Sequence, residues 1–479
     1  MRRRRAVPWP ALALAGLILC TLVGFVVYPT FPNYDSYYSL LWGREVLHGT
    51  LPSFDAYRAP TEHPLAIGFG ALLALAGDDA DRMMVAATLA SFVVLAAGLY
   101  RLTRASFTTF TGLLAAGLLC TRFDFPFLAA RAYIDIPYLA FVVWAAALES
   151  ERRRRGTPVF MLLAGAGLLR PEAWLLSGLY FLWCFPPASW PRRVRYALFT
   201  AIGPVVWTLV DFIATGDPLF SLTHTSGLAE ELGRQRGLSE IPTATVEFLK
   251  NLDKVPVFYA GVLGVLLGVV LVPRRIGMPV AMFVIGMGTF VLVGLAGLSV
   301  IDRYLLVPSL MVMVFAAVTL GGWTMLRAGS KVRTAWAVGA SLVVAYGVFF
   351  TATKVNFHTF DLELTFRGDS HAALEKLLRD PKVRAGRECG PVSVPNHKLV
   401  PDTRWILNAG EDEVVARSDP EAKARLGRGV AIYATSRQSL LRQGFTPDVS
   451  DVEDIRNSLP LPGYTWVAAT GHYGAYVRC

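Results

Sequence analysis

Charge is scarce in this 479-residue chain: Asp, Glu, Lys and Arg make up 17 % of it, while 54 % is hydrophobic. A soluble domain carries about a quarter charged residues. The shortage excludes a conventional water-soluble enzyme, because so much apolar surface exceeds what a core of this length buries. Acidic residues are scarcer than basic ones, 36 against 46, for a net charge of +10. Nucleic-acid binding does not follow from that excess. The basic residues sit in short clusters between apolar runs, as they do in cytoplasmic loops of membrane proteins. Only five cysteines are present. Cys20, Cys120 and Cys184 lie in apolar runs and read as packing residues, whereas Cys389 and Cys479 lie in the polar tail. The tail also lacks a nucleophile triad, a phosphate loop and a zinc pattern.

What is present is a series of apolar runs. Candidate spans cover 8–28, 83–100, 105–121, 136–149, 157–169, 173–187, 194–213, 255–272, 277–299, 304–325 and 334–352. Helices are required there because the bilayer core offers no water to unpaired backbone groups. The first run follows Arg2 to Arg5 and reads as an uncleaved span, since no small-residue cleavage pattern follows it. With these boundaries every basic cluster falls on one side: Arg2 to Arg5, Arg101 with Arg104, Arg152 to Arg155, Arg192 with Arg193 and Arg195, Arg274 with Arg275, and Arg327 with Lys331 and Arg333. The positive-inside rule makes that side cytoplasmic. The expected fold is therefore an all-α polytopic membrane domain, 1–352, of about eleven transmembrane helices. Its N-terminus is inside, and a small α/β domain, 353–479, lies outside the cytoplasm.

Two apolar segments are not assigned as spans. Residues 64–77 are too short, and treating them as a span would invert every later loop. Residues 35–48 place Tyr38, Leu41, Trp42 and Leu47 on one helical face, with Arg44 and Glu45 elsewhere. Both are expected on the membrane surface in the first outer loop. The outer side then receives 29–82, 122–135, 170–172, 214–254, 300–303 and 353–479, which are the long and chemically varied loops.

Four outer positions concentrate polar side chains. Asp35 follows the first span, where a carboxylate is costly unless it faces water, a partner or substrate, or caps a helix. The same loop carries Arg58, Glu62 and His63 between prolines. Arginine there suits a phosphate, and histidine suits assistance, a metal or a structural hydrogen bond. Asp135 stands before Pro137 at the start of the fourth span, with Arg131 as its nearest basic partner. Arg170-Pro171-Glu172 breaks one apolar stretch, and Asp302-Arg303-Tyr304 opens another span. Trp174 and Tyr304 alone would pass as interfacial anchors. His224, Glu230, Glu231, Arg234 and Arg236 belong to a solvated helix or to a cover over the cavity. Two carboxylates and up to four arginines thus converge on one membrane face. A carboxylate can take a proton from an attacking hydroxyl, and arginine can stabilise charge on a phosphate leaving group.

The order of these motifs resembles the GT-C fold glycosyltransferases. Within them it is nearest the branch that includes protein O-mannosyltransferases and the bacterial aminoarabinose transferase for lipid A. Asp35-Ser36-Tyr37-Tyr38, continuing through Trp42-Gly43-Arg44-Glu45 to His48-Gly49, is similar to that branch's acidic residue and Tyr-rich helix. Glu62-His63-Pro64-Leu65 takes the place of a Lys-Pro-Pro-like element. Asp135-Ile136-Pro137, Arg170-Pro171 and Arg303-Tyr304-Leu305-Leu306-Val307-Pro308 match later elements. Ser36 stands where many relatives carry a second acid, and His63 where they carry lysine. The likeness covers roughly 1–325. It implies transfer of a sugar from a polyprenyl-phosphate carrier to a glycan, lipid or protein acceptor outside the cytoplasm, usually with inversion. Asp35 is the implied base, Asp135 the second acid, and Arg58, Arg131 and Arg303 phosphate-side groups. Tyr38, Glu62, His63, Arg170, Glu172 and Tyr304 complete the expected substrate surface. No cofactor is required by this reading, and a divalent metal is left open. The alternative is a transporter or flippase of a lipid-linked sugar, which would be expected to show internal repeats, and none is evident.

In the tail, Leu374, Leu377 and Leu378 predict a helix at about 370–380. Val430 to Tyr433 reads as a strand, and Tyr464 to Ala469 with Ala475 to Val477 as a hairpin around Gly471-His472-Tyr473-Gly474. Outside the cytoplasm Cys389 and Cys479 can form a disulfide.

Overall fold

The computed structural model describes residues 9–442 and 461–479. The Arg2 to Arg5 cluster lies outside the described residues. In chain order the helices are α1 (Trp9–Val27), α2 (Tyr34–Leu47), α3 (Pro64–Ala74), α4 (Ala80–Ser106), α5 (Thr109–Thr121), α6 (Asp124–Ala130), α7 (Asp135–Glu151), α8 (Thr157–Gly167), α9 (Glu172–Cys184) and α10 (Trp190–Thr215). Then come α11 (Phe220–Glu231), α12 (Ile241–Asp253), α13 (Val255–Leu271), α14 (Gly277–Leu295), α15 (Leu306–Gly321) and α16 (Lys331–Lys354).

Every candidate span from the sequence forms a helix. Among the described residues six helices are long and apolar enough to cross a membrane, or eight if each bent pair counts as one span. The pairs are α5 with α6, bent by 64°, and α12 with α13, bent by 110°. The second bend falls at Lys254, whose φ of +63° leaves the helical region just before Pro256. The three remaining expected segments are α7, α8 and α9, at 17, 11 and 13 residues.

α15 is apolar around its whole circumference, and the fold buries nearly all of it. α13 approaches it closely through Gly261 and Gly264. A Cβ at Gly264 would overlap the carbonyl of Phe315, and one at Gly261 would overlap Val312. Small residues at this seam allow backbone contact where lipid provides no hydrophobic drive.

α2 does not lie as a half-exposed surface helix. Ser36 through Gly43 are all buried. α3 crosses one face, where Gly43 and Gly70 leave no room for a Cβ. The tail covers another face. Leu47 stays exposed, and Arg44 and Glu45 hold the tail instead of facing water alone.

The tail contains α17 (Phe357–Leu378), α18 (Pro381–Arg387) and α19 (Val400–Leu407), with β1 (Val392–Val394), β2 (Val414–Ala416), β3 (Gly429–Ala434), β4 (Thr465–Ala469) and β5 (Tyr473–Arg478). The sheet order is β2-β1-β3-β5-β4. β1 is parallel to β2 and β3, while β5 is antiparallel to β3 and β4. The predicted helix at 370–380 is the C-terminal half of the longer α17. Leu374, Leu377 and Leu378 pack there on Val392, Val430, Ile432 and Ala475. A Cys389–Cys479 disulfide, with Cα atoms 5.2 Å apart, joins the loop after α18 to the chain end.

The tail docks on α2 through charge. Buried Arg404 donates to Glu45 Oε1 at 2.7 Å, and Arg44 donates to Asn408 Oδ1 at 2.7 Å. Tyr57 donates to the Ser418 carbonyl at 2.8 Å. His371 of α17 lies 3.0 Å from Asp402 and stacks on Phe31.

Candidate functional site

The start of α2 is pinned to the turn before α7. Asn33, not Asp35, is the N-cap; its side chain accepts from the Ser36 N–H at 3.1 Å. Ser36 Oγ donates to the Ala132 carbonyl at 2.6 Å, and the Asn33 N–H donates to the Arg131 carbonyl at 2.8 Å. Ala132 itself has a φ of +54°, a costly conformation for a residue with a side chain. Relieved of capping, Asp35 turns its carboxylate toward an open cavity of about 610 Å³.

Asp135 begins α7 and is completely buried. It does not cap the helix; both of its oxygens face guanidinium groups. Arg303 reaches Oδ2 through Nη2 at 2.9 Å and Nε at 3.1 Å, and Arg170 pairs with Oδ1. Arg303 also donates through Nη1 to Asp35 Oδ2 at 3.1 Å. Arg170 donates to Glu172 Oε1 at 2.9 Å. The chain of contacts Asp35–Arg303–Asp135–Arg170–Glu172 therefore links four loops that are far apart in sequence. Three carboxylates face two guanidinium groups, so every buried charge in the network is paired.

Seven of the expected residues line the cavity: Asp35, Arg58, His63, Arg170, Glu172, Arg303 and Tyr304. Arg58, with a φ of +54°, pairs with Glu231 at 2.8 Å. His63 is held neutral: burial, and then the adjacent Arg170 and Arg303, push its imidazole down to about 3. Asp135 lies directly behind this wall.

Glu62 also lies behind it, fully buried. Its Oε2 and Asp211 Oδ1 both approach Ser221 Oγ, at 2.7 Å and 2.6 Å, and that oxygen accepts from the Trp207 indole at 2.7 Å. A hydroxyl has one proton to give, so one of the two acids must hold its own. Burial pushes Glu62 up to about 7, so it can hold that proton in mildly acidic buffer and gives it up as the pH passes neutrality.

Two expected residues lie elsewhere. Arg131 makes no ion pair with Asp135 among the described residues; it stacks on Phe31, 4.1 Å from the ring centroid, beneath α2. Arg170 and Arg303 occupy both oxygens of Asp135 first. Tyr38 is one turn too deep. It packs on Tyr34 and Trp42, and Tyr34 takes the place at the cavity, donating to the Arg58 carbonyl at 2.6 Å.

Other lining residues had weaker sequence signals. α11 and the turn after it supply Leu222, Thr225, Leu228 and Arg234, so the segment 214–254 covers the cavity. Trp174 faces it too, donating to the Gly167 carbonyl at 2.9 Å and packing on Trp207. The tail contributes His397 and Lys398. Nothing local in the sequence signals that placement. Among the described residues no group of three or more His, Cys, Asp or Glu side chains is arranged to hold a metal ion.

No family model matches the chain, and no curated protein matches it. Solved structures do. ArnT from Cupriavidus metallidurans in the apo state superposes with a TM-score of 0.53 at 12 % identity, covering 98 % of each chain. The Archaeoglobus fulgidus oligosaccharyltransferase in its apo form gives 0.51 at 12 % identity, over 89 % of this chain and 69 % of that one. The AglB oligosaccharyltransferase from the same organism, solved with an inhibitory peptide and a dolichol-phosphate, gives 0.52 at 13 % identity, over 97 % and 74 %. The chain has the GT-C fold. The GT-C likeness to ArnT runs past residue 325 and includes the tail, which no sequence motif had linked to that fold.

Proposed function

We propose that this chain is a glycosyltransferase that moves a sugar from a polyprenyl-phosphate carrier to an acceptor on the extracytoplasmic side of a cell membrane. One observation carries the reading: a single cavity joins the Asp35 carboxylate and several cations to a long apolar wall. Trp174, Leu175, Trp207, Leu222, Leu292 and Val293 suit a polyprenyl chain. Arg58, Arg234, Arg303 and Lys398 suit its phosphate. AglB was solved in complex with a dolichol-phosphate, and a lipid phosphate held by a protein of this fold supports the reading.

In this reading the acceptor hydroxyl attacks the anomeric carbon as Asp35 takes its proton. The bond from that carbon to the phosphate oxygen breaks, and the carrier leaves as polyprenyl phosphate. Attack opposite the leaving group inverts the anomeric centre. Arg303 has a double part: it orients Asp35 and offers positive charge to the departing phosphate. Asp135 is the positioning residue that holds Arg303 and Arg170 for this task. Arg152 to Arg155 follow α7 at the end opposite Asp135, which supports the positive-inside orientation.

The test is turnover by the purified full chain, given labelled polyprenyl-phosphate sugars and candidate acceptors. Asp35→Asn should cut the rate by about 10²–10⁴-fold, the usual worth of a general base. Unchanged turnover would remove Asp35 from the reaction. Lipid-linked sugar crossing vesicles with no covalent product would favour the transporter.

A further inference from the structure

A second cavity, of about 680 Å³, opens at the far end of α7. Glu149 marks that end, about 21 Å along the axis from Asp135 at 1.5 Å per residue. The interior is apolar, with Leu163, Leu176, Met282 and Ile285 in its walls. Three guanidinium groups, Arg153, Arg274 and Arg275, also line it.

One carboxylate faces them, and it is already committed. Glu149 Oε1 accepts from the Arg154 N–H at 2.7 Å and the Trp183 indole at 3.0 Å. Its Oε2 accepts from the Tyr180 hydroxyl at 2.8 Å and the Arg155 N–H at 3.2 Å. Arg275 donates to the Phe107 carbonyl at 3.1 Å. Arg153 and Arg274 are exposed and make no ion pair among the described residues. Such a rim has positive charge to spare. Leu179 and Trp183 line the cavity and are exposed large apolar side chains, so it opens sideways between α9 and α14. A mouth of that kind faces acyl chains.

We propose that this cavity holds an anionic glycerophospholipid of the bilayer, its phosphate at the three arginines and one acyl chain in the apolar interior. Arginine's planar fork matches phosphate oxygens. Basic pockets between membrane helices select anionic headgroups. A zwitterionic headgroup brings its own cation toward the rim and is disfavoured. The site lies at the end of the bundle that carries Arg152 to Arg155, Arg274 and Arg275, away from the cavity at Asp35, and does not depend on the transferase reading.

Native mass spectrometry of the purified full chain tests this with phosphatidylglycerol and phosphatidylcholine of equal chain length. Phosphatidylglycerol should be retained at least about fivefold better: both lipids carry the phosphate, and the choline cation of phosphatidylcholine offsets about one arginine's worth of attraction. The Arg153→Gln/Arg274→Gln variant should lose the preference, and Arg153→Lys/Arg274→Lys should keep most of it. Both arginines are exposed, so the helix packing does not rest on them. Equal retention of the two lipids by the unaltered chain would overturn the proposal, as would a preference that survives in the Gln variant. Displacement by water-soluble glycerol phosphate at equal concentration would also overturn it, because the apolar interior would then contribute nothing.

Discussion

Replacing Asp135 with asparagine removes the charge on which two arginines converge and leaves the shape of the side chain nearly unchanged. Asp135 is fully buried, and its partners Arg170 and Arg303 are 8 % and 23 % exposed at the side chain. Removing one partner of a buried ion pair costs roughly 3–5 kcal/mol, because the remaining charge stays desolvated. Each arginine keeps one other carboxylate, Glu172 for Arg170 and Asp35 for Arg303. The loss should therefore fall at the low end, about 3 kcal/mol. Reversible unfolding of the purified chain in mixed micelles measures it. Glu172→Gln supplies the control, since it removes one of two carboxylates from Arg170 alone and should cost less, about 1–2 kcal/mol. The two substitutions share Arg170, so the double variant should depart from additivity by at least about 0.5 kcal/mol. A loss below about 1 kcal/mol in Asp135→Asn, the size expected of an exposed pair, would refute the buried network.

Glu62→Gln should stabilise the chain in alkaline buffer and not in acid. The folded acid, raised to about 7, keeps its proton where the unfolded one has lost it; its contribution is complete below about 4.5 and is lost as pH rises through 7. A shift of this size is worth about 3 kcal/mol, read as the difference between unfolding at pH 8.5 and pH 4; a pH-independent effect would contradict it. Gly264→Ala should destabilise the bundle by about 1–3 kcal/mol, because the added carbon overlaps the Phe315 carbonyl. Gly288→Ala, with open space around it, serves as the neutral comparison in the same unfolding assay. Arg404→Ala should loosen the tail from α2 by leaving Glu45 without its buried partner, seen as faster proteolysis between the tail and the bundle.

The sequence made the helices legible because lipid-facing runs are long and their composition leaves few alternatives. It also made the convergence of Asp35, Asp135, Arg170 and Arg303 legible, since all four stand at ends of helices assigned to one side. Side-chain aim was not legible to the same degree. Tyr34 and Tyr38 lie on one helical stripe, and only the depth of α2 decides which reaches the cavity. Arg131 was expected near Asp135 by proximity in sequence, but guanidinium groups from two other loops reach that carboxylate first. The sequence offered Asp35 as a cap, but the helix starts at Tyr34, and Asn33, two residues earlier and an equally good cap, takes that place. The tail's return to the site left no local trace. Its docking depends on pairs such as Arg404 with Glu45, hundreds of residues apart, which no periodicity encodes.

A structure of the full chain with bound polyprenyl phosphate tests the account most directly. The phosphate is expected within hydrogen-bond reach of Arg303, beside Asp35, with the prenyl chain along Trp174 and Trp207. Lipid density that bypasses this cavity, or a phosphate with Asp35 out of reach of it, would contradict the account.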